Sequence, residues 1–479
     1  MASSLLTVLT FFVSLSTVSC LKIGVIGGGI GGASSLYYLR KLLPKIIDAE
    51  IDLFTDSDIG GRITTVPMRM NGKLRSFEAG ASIIHPKNEY MNQWLKEYGF
   101  SKARHPVNRR GFGIWDGNKF VFRKSNWHLV TMYRLFRRYG FDLIRNHFLI
   151  NILLSEFSRI YDFMSRNISF DSIDSFVETI SPTMANIVNI TIKEYLSQNK
   201  FGDSFITEYA SAALNCNYGQ SIKELGAFVG SVGLAGGVPG LYSINGSNRG
   251  LVEKLVEDSR CNIFFMSVNN VTKEGELYNI EGLDKNGKIV KEGYDYIILA
   301  VPLHQHQNIS IEGGFSFLLM KFCSLYVLQG SIRSSYWSMN DENIPNSILV
   351  SNNQLFYNSI SQNSPVDYQI DEAFPSDGPQ RIFKVFSENF LSQAQLDDLF
   401  SERKDVKTIE FLAYPEYKKP PLLRPRFRLV DRICFVNAIE WLASAIEMSA
   451  IGGRNCVNML LNDLHLLQKE NLKSGKVEL

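Results

Sequence analysis

The sequence predicts an α/β protein, α+β overall, in which a nucleotide-binding sheet is interrupted by a mixed second domain. Three observations carry this. A buried strand, a glycine run and a helix follow one another near the amino terminus. Apolar strand-like segments return at 262–268, 294–300 and 432–436. The stretches between them are rich in aromatic residues and helix, or mixed. At 479 residues the chain is long enough for two or three cores. With 45% hydrophobic and 20% charged residues it has the composition of an ordinary folded protein. A formal net charge of +2 gives no reason to expect nucleic acid or an anionic membrane as a main partner.

Residues 1–20 precede the fold. Leu5–Val18 is mostly apolar, too short to span a bilayer, and ends in small residues before Cys20. That reads as a secretory signal cleaved near Cys20 or Leu21, with a retained anchor as the other reading. Sequons at Asn167, Asn189, Asn245, Asn270 and Asn308 support passage into the secretory pathway. Asn245 lies in a stretch assigned to the cofactor, so no glycan is expected there. The remaining cysteines are scattered, and Cys434 and Cys456, in apolar contexts, read as packing residues.

Lys22–Ile26 reads as a short buried strand and Ile30–Leu43 as the helix after it, closed by Pro44. Ile51–Phe54 is the second strand. Between strand and helix, Gly27, Gly29 and Gly32 supply G-x-G-x-x-G, the Rossmann fingerprint. The first permits the tight turn, the second a close approach of backbone to pyrophosphate, and the third close packing of helix on strand. Gly31 lies in the same cradle, and the helix amino end offers free N–H groups to the phosphates. A carboxylate is expected at the end of the second strand for the ribose. Thr55 occupies that point, so Asp56, one residue later, is the candidate.

Gly60-Gly61-Arg62 follows, and Arg62 suits phosphate oxygens. The pattern of strand, Asp-Ser-Asp and Gly-Gly-Arg resembles flavin oxidases of the amine oxidase type rather than nicotinamide dehydrogenases, which implies FAD; an exposed loop arginine is the other reading of Arg62. From Leu129 to Ile152, apolar residues recur at helical spacing, broken near Gly140, with Arg134, Arg137 and Arg138 interleaved. Either this is an amphipathic helix pair on a core, or it is a basic, aromatic rim beside a lipid-binding channel. Leu277–Asp284 is a hairpin arm turning at Asn286-Gly287. Val268, at the end of the strand before it, is a further cofactor candidate. Tyr294–Ala300 reads as one buried strand and Arg432–Val436 as another, leading to a helix from about Leu442. The resulting division is 21–105, 230–312 and 424–465 for the FAD-binding domain, and 106–229 and 313–423 for the substrate-binding domain. Residues 466–479 form a tail.

Several segments resemble the prenylcysteine oxidase family, which includes the farnesylcysteine lyases. They are Phe77–Pro86, Gly113–Gly117, Ser125-Asn126-Trp127, Asn217–Ser221, Ala413-Tyr414-Pro415, Val436–Glu440 and Ser444–Ala450, in the family's order from about residue 22 to 460. The resemblance implies FAD-dependent oxidation of a prenylcysteine thioether, farnesyl or geranylgeranyl. Water and O2 are consumed, and cysteine, a prenyl aldehyde and hydrogen peroxide are formed. It places Asn437, Glu440 and Glu447 at the flavin, although a solvated helix position is the other reading of Glu447. His85 is the candidate acid–base group, with a structural histidine held by the Pro86 turn as the equal alternative. Trp127 and Tyr218 are candidates for the prenyl site, with core packing as their other reading. Thr55, Ala81, Tyr242 and Ser247 depart from the family's usual Glu, Gly, Trp and Gly. A flavin amine oxidase or desaturase, or a non-catalytic prenyl-binding protein, are the competing readings. Expected partners are a prenylated cysteine and O2, with peripheral membrane contact and no nucleic acid, in a lysosome or vacuole. The oligomeric state is left open.

Overall fold

The computed structural model of the protein describes residues 20–473 except 107–109, 238–239, 288, 305–308, 312–318, 373, 376–377 and 418–423. The expected signal, the sequon at Asn308 and the Pro420-Pro421 segment lie outside the described residues.

Strand β1 (Leu21–Ile26) leads through the glycine turn into helix α1 (Ile30–Leu42) and then strand β2 (Ala49–Thr55). Five parallel strands form the centre of the first sheet, in the order Asn262–Glu274, β2, β1, Tyr296–Leu299, Ile433–Phe435. The chain winds outward in both directions from β1, so a crevice opens past its carboxyl end, where ligands of doubly wound sheets bind. Antiparallel strands extend both edges, among them the hairpin of Leu277–Asp284 with Ile289–Tyr294.

α1 is buried from Ile30 to Leu39 because it lies between this sheet and the C-terminal helix, Ile446–Lys473. A Cβ on Gly453 would stand 2.4 Å from the Gly31 carbonyl oxygen, and Ser34 Oγ donates to the Ala450 carbonyl at 2.7 Å. Helix α2 (Glu89–Glu97) packs beside this pair. The second sheet has seven strands, mostly antiparallel, contributed by 112–123 and 320–415. A helical layer from His128 to Ala235 covers it, beginning with α3 (His128–Tyr139) and α4 (Asp142–Phe157).

Four expectations are corrected. The segment 294–300 is two strands, because Asp295 exchanges hydrogen bonds with the Lys22 backbone and turns the chain from an antiparallel to a parallel neighbour. The last helix begins at Ile446 rather than Leu442, since Val436–Trp441 first makes a 3₁₀ turn. Cys434 and Cys456 form a disulfide, their Cα atoms 5.6 Å apart. Finally, the helix pair α3–α4 is only partly packed on a core: Leu135 and Leu143 pack inward, whereas Leu129 is 82% exposed and Phe148 63%.

Candidate functional site

One continuous cavity of about 1450 Å³ lies between the two sheets and the helical layer. That exceeds the roughly 300–1,000 Å³ of a typical small-ligand pocket. One end is the glycine turn, Gly27–Gly31, with Asp56, Gly60 and Gly61. A Cβ on Gly27 would come within 2.5 Å of the Ala300 carbonyl, and one on Gly32 within 2.0 Å of the Gly27 carbonyl. Those two glycines are required by the fold itself. Gly29 differs: a Cβ there would meet nothing closer than the Gly60 carbonyl at 3.9 Å. Open space therefore lies in front of the amino end of α1, where no side chain caps the helix. This cradle fits a pyrophosphate.

β2 ends at Thr55, whose Oγ1 donates to the Ser57 carbonyl at 2.9 Å, so Thr55 is folded onto its own loop. Asp56 begins that loop, exposed and lining the cavity, and Val268 lines the same end. Arg62 is not available to phosphate as expected. Its guanidinium forms a two-pronged ion pair with Glu440 and donates to the Ala413 carbonyl at 2.7 Å. Glu440 is 1% exposed, and a buried carboxylate of that kind needs a matched cation. Asn437 Nδ2 donates to the same carboxylate at 2.7 Å, which leaves Asn437 Oδ1 buried on the cavity wall with no protein partner among the described residues.

Glu447 is not solvated. Its carboxylate accepts from Tyr90 N at 2.7 Å, Met91 N at 3.1 Å and Tyr161 Oη at 2.8 Å. Asn88 provides no side-chain cap for α2, so Glu447, on the facing helix, completes the first turn instead. Burial raises its carboxyl to about 7 in spite of the three donors. His85 lines the cavity with Nδ1 accepting from Lys87 N at 3.0 Å. The neutral ring then carries its proton on Nε2, a buried donor with no protein partner among the described residues. Burial and the nearby Lys87 hold its pKa below the usual value.

Tyr218 is buried on the cavity wall, its ring edge-to-face with Tyr414 at 5.5 Å. Trp127 is placed elsewhere: it is 76% exposed and does not line the cavity. Ile150, Leu153 and Phe157 of α4, with Met184 and Phe228, form the apolar end instead.

Lys384 escaped the sequence reading. It sits in the strand Arg381–Ser387, buried, with Nζ donating to the Gly80 carbonyl at 3.1 Å, and it lines the cavity near Cys216 and Cys323. Burial depresses its ammonium to about 8, against the opposing charge of Glu78. The available signal was a single cation inside the apolar run Ile-Phe-Lys-Val-Phe.

Comparison with known proteins agrees with this geometry. A family profile described as prenylcysteine lyase matches residues 122–472, and one for an NAD(P)-binding Rossmann-like domain matches 25–98. The chain belongs to the prenylcysteine lyase family. It is 32% identical to "Prenylcysteine oxidase 1" of Homo sapiens, covering 91% of this chain and 87% of that one. It is 30% identical to the protein of the same name from Bos taurus, over 94% and 91%. "Prenylcysteine oxidase 1-like" of Homo sapiens matches at 28%, over 96% and 94%. Among solved structures, an engineered putrescine oxidase superposes with a TM-score of 0.57 at 11% identity, over 92% of this chain and 99% of that one. That likeness establishes that the two chains share a fold. The relation to prenylcysteine oxidases makes the family member an oxidoreductase.

Proposed function

We propose that the protein is a FAD-dependent oxidase that cleaves the thioether of a prenylated cysteine. The observation that carries this is the single cavity whose lining includes the glycine cradle, the inward apolar side chains of α4 and Lys384. Gly29 and the amino end of α1 would hold the pyrophosphate, and Asp56 would hold the ribose. Asn437 and the first turn of the C-terminal helix line the wall beyond. Bound FAD supplies the two-electron acceptor that O2 later reoxidises.

The protein's own groups do the rest. Ile150, Leu153, Phe157 and Phe228 take the isoprenoid out of water. Loss of hydride from the carbon next to sulfur leaves a sulfur-stabilised cation. A water then forms the new C–O bond and gives up a proton, and Lys384 Nζ, poised near pH 8, is placed to accept it. The C–S bond breaks, that proton reaches sulfur, and cysteine and a prenyl aldehyde leave. Overall, thioether, water and O2 become thiol, aldehyde and hydrogen peroxide. The amine-oxidase and non-catalytic readings are not favoured, since the family is that of prenylcysteine lyases and the cradle is intact.

The same proposal places the protein in an oxidising compartment of the secretory pathway, lysosome or vacuole. The Cys434–Cys456 disulfide supports this, as do the exposed sequons at Asn167, Asn189 and Asn245. Asn245 does not line the cavity, which removes the reason for discounting it. The test is the visible spectrum of the purified protein. Oxidised-flavin bands should bleach anaerobically with farnesylcysteine and not with simple amines. A colourless protein that FAD cannot reconstitute would overturn the proposal.

A further inference from the structure

The outward face of α3 and α4 has no covering among the described residues. On α3, Leu129, Met132, Tyr133 and Phe136 recur at positions i, i+3, i+4 and i+7, and all are exposed. On α4, Ile144, Phe148 and Ile152 recur every fourth residue and are 52%, 63% and 58% exposed. The two stripes are continuous: Gly140, at φ +56°, reverses the chain, and the rings of Phe136 and Phe141 meet edge-to-face at 5.1 Å. An apolar face of this extent, rimmed by polar groups, marks an interaction surface.

Charge identifies the occupant. Between Val121 and Ser155 there are six Lys and Arg residues and one acidic residue, Asp142. Asp142 is buried and paired with Arg145, and Arg138 is paired with Glu208. Arg134 and Arg137 are exposed on α3, and neither has an acidic partner among the described residues. A second copy of the chain, docking by the same face, would set these cations against their own images. No helix among the described residues is long and apolar enough to cross a membrane, and α3 and α4 have 12 and 16 residues. Two short amphipathic helices with aromatic tips and a basic rim suit the plane of a bilayer interface.

We propose that α3 and α4 seat the protein on an anionic phospholipid bilayer. α4 then has lipid on one side and the cavity on the other, because Ile150, Leu153, Leu154 and Phe157 of its inner face line that cavity. Ile83, 58% exposed, lines the cavity as well, and Lys87 Nζ reaches Asn151 of α4 at 3.2 Å. The cavity thus opens beside the docking face. The inference stands on this face and needs no assumption about the substrate.

The test is sedimentation of the full chain with phosphatidylcholine vesicles, with and without roughly 30 mol % phosphatidylserine. The protein should partition at least about tenfold more strongly to the anionic vesicles. Phe136→Asp with Phe148→Asp, and separately Arg134→Glu with Arg137→Glu, should each lower that partitioning about tenfold or more. All four residues are exposed, so circular dichroism and melting should stay unchanged. Equal binding to both vesicle types would overturn the proposal. So would undiminished binding by both variants, or a dimer in solution that Phe136→Asp dissociates.

Discussion

Three glycines of one turn do different work, and substitution separates them. Gly29→Val puts its side chain into open space, so the protein should fold and lose flavin. Retained stoichiometric FAD in that variant would move the site elsewhere. Gly32→Val would drive side-chain atoms into the Gly27 carbonyl and should cost folding itself. Lys384→Met keeps the length of the side chain and removes the base. Turnover should fall about 10²–10⁴-fold with the flavin spectrum intact. In the parent, kcat/KM should rise with pH through about 8 as Nζ loses its proton, and the variant should lack that limb. Of these residues the glycines were legible in the sequence, because the chemistry of a tight turn is local. Lys384 was not, since its meaning comes from Gly80 and Glu78, which are some 300 positions away. Arg62 was misassigned for the same reason: its partner Glu440 lies 378 residues on.

Among the elements, two helix starts carry their own tests. Ser247 begins the helix Asn248–Ser259 at φ +118°, a conformation that suits glycine, while its Oγ accepts from Arg249 N at 3.0 Å. Such strain costs on the order of 1–3 kcal/mol, and a glycine cap loses only a few tenths. Ser247→Gly should therefore stabilise the protein by about 1 kcal/mol in urea unfolding. α2 is capped by Glu447, whose carboxyl is raised from 4.5 to about 7. The folded state holds that proton more tightly than the unfolded chain. The contribution is thus fully present below about 4.5 and is lost as pH rises to about 7. Its size is on the order of 3 kcal/mol. Urea unfolding of the parent at pH 5 and pH 7.5 should show that loss, and Glu447→Gln should lack it. Periodicity located α3, α4 and the break at Gly140, but spacing says only that a helix has an apolar face. Which way that face points is decided by what the rest of the chain leaves uncovered. The disulfide was hidden similarly, because a strand and a helix 22 residues apart meet only once the sheet is assembled.

On the scale of the whole molecule, the cavity is a seam between two sheets, and whatever fills it holds them together. Removing FAD should lower stability, and restoring it at a hundred times its Kd should return about 2.7 kcal/mol. Thermal melts of stripped and reconstituted protein check this, and equal melting would show that the cradle contributes nothing to holding the sheets. The α/β class was legible because strand, glycine turn, helix and strand fall within some thirty-five residues. The net charge of +2 says nothing about the face of α3 and α4, since a near-neutral sum leaves open how the charges are distributed, and six Lys and Arg residues stand against one acidic residue between Val121 and Ser155.

The packing of α1 against the C-terminal helix bears on the order in which the molecule is made. Ser34 bonds to Ala450, 416 positions later, and Gly31 lies against Gly453. A ribosome adds about 5–20 residues per second. The first helix therefore waits on the order of tens of seconds for the neighbour that buries it. The amino-terminal unit cannot mature as a free-standing nucleotide binder during translation. Under the proposed function, cofactor capture should follow chain release, and a polypeptide truncated before the last helix should not become yellow.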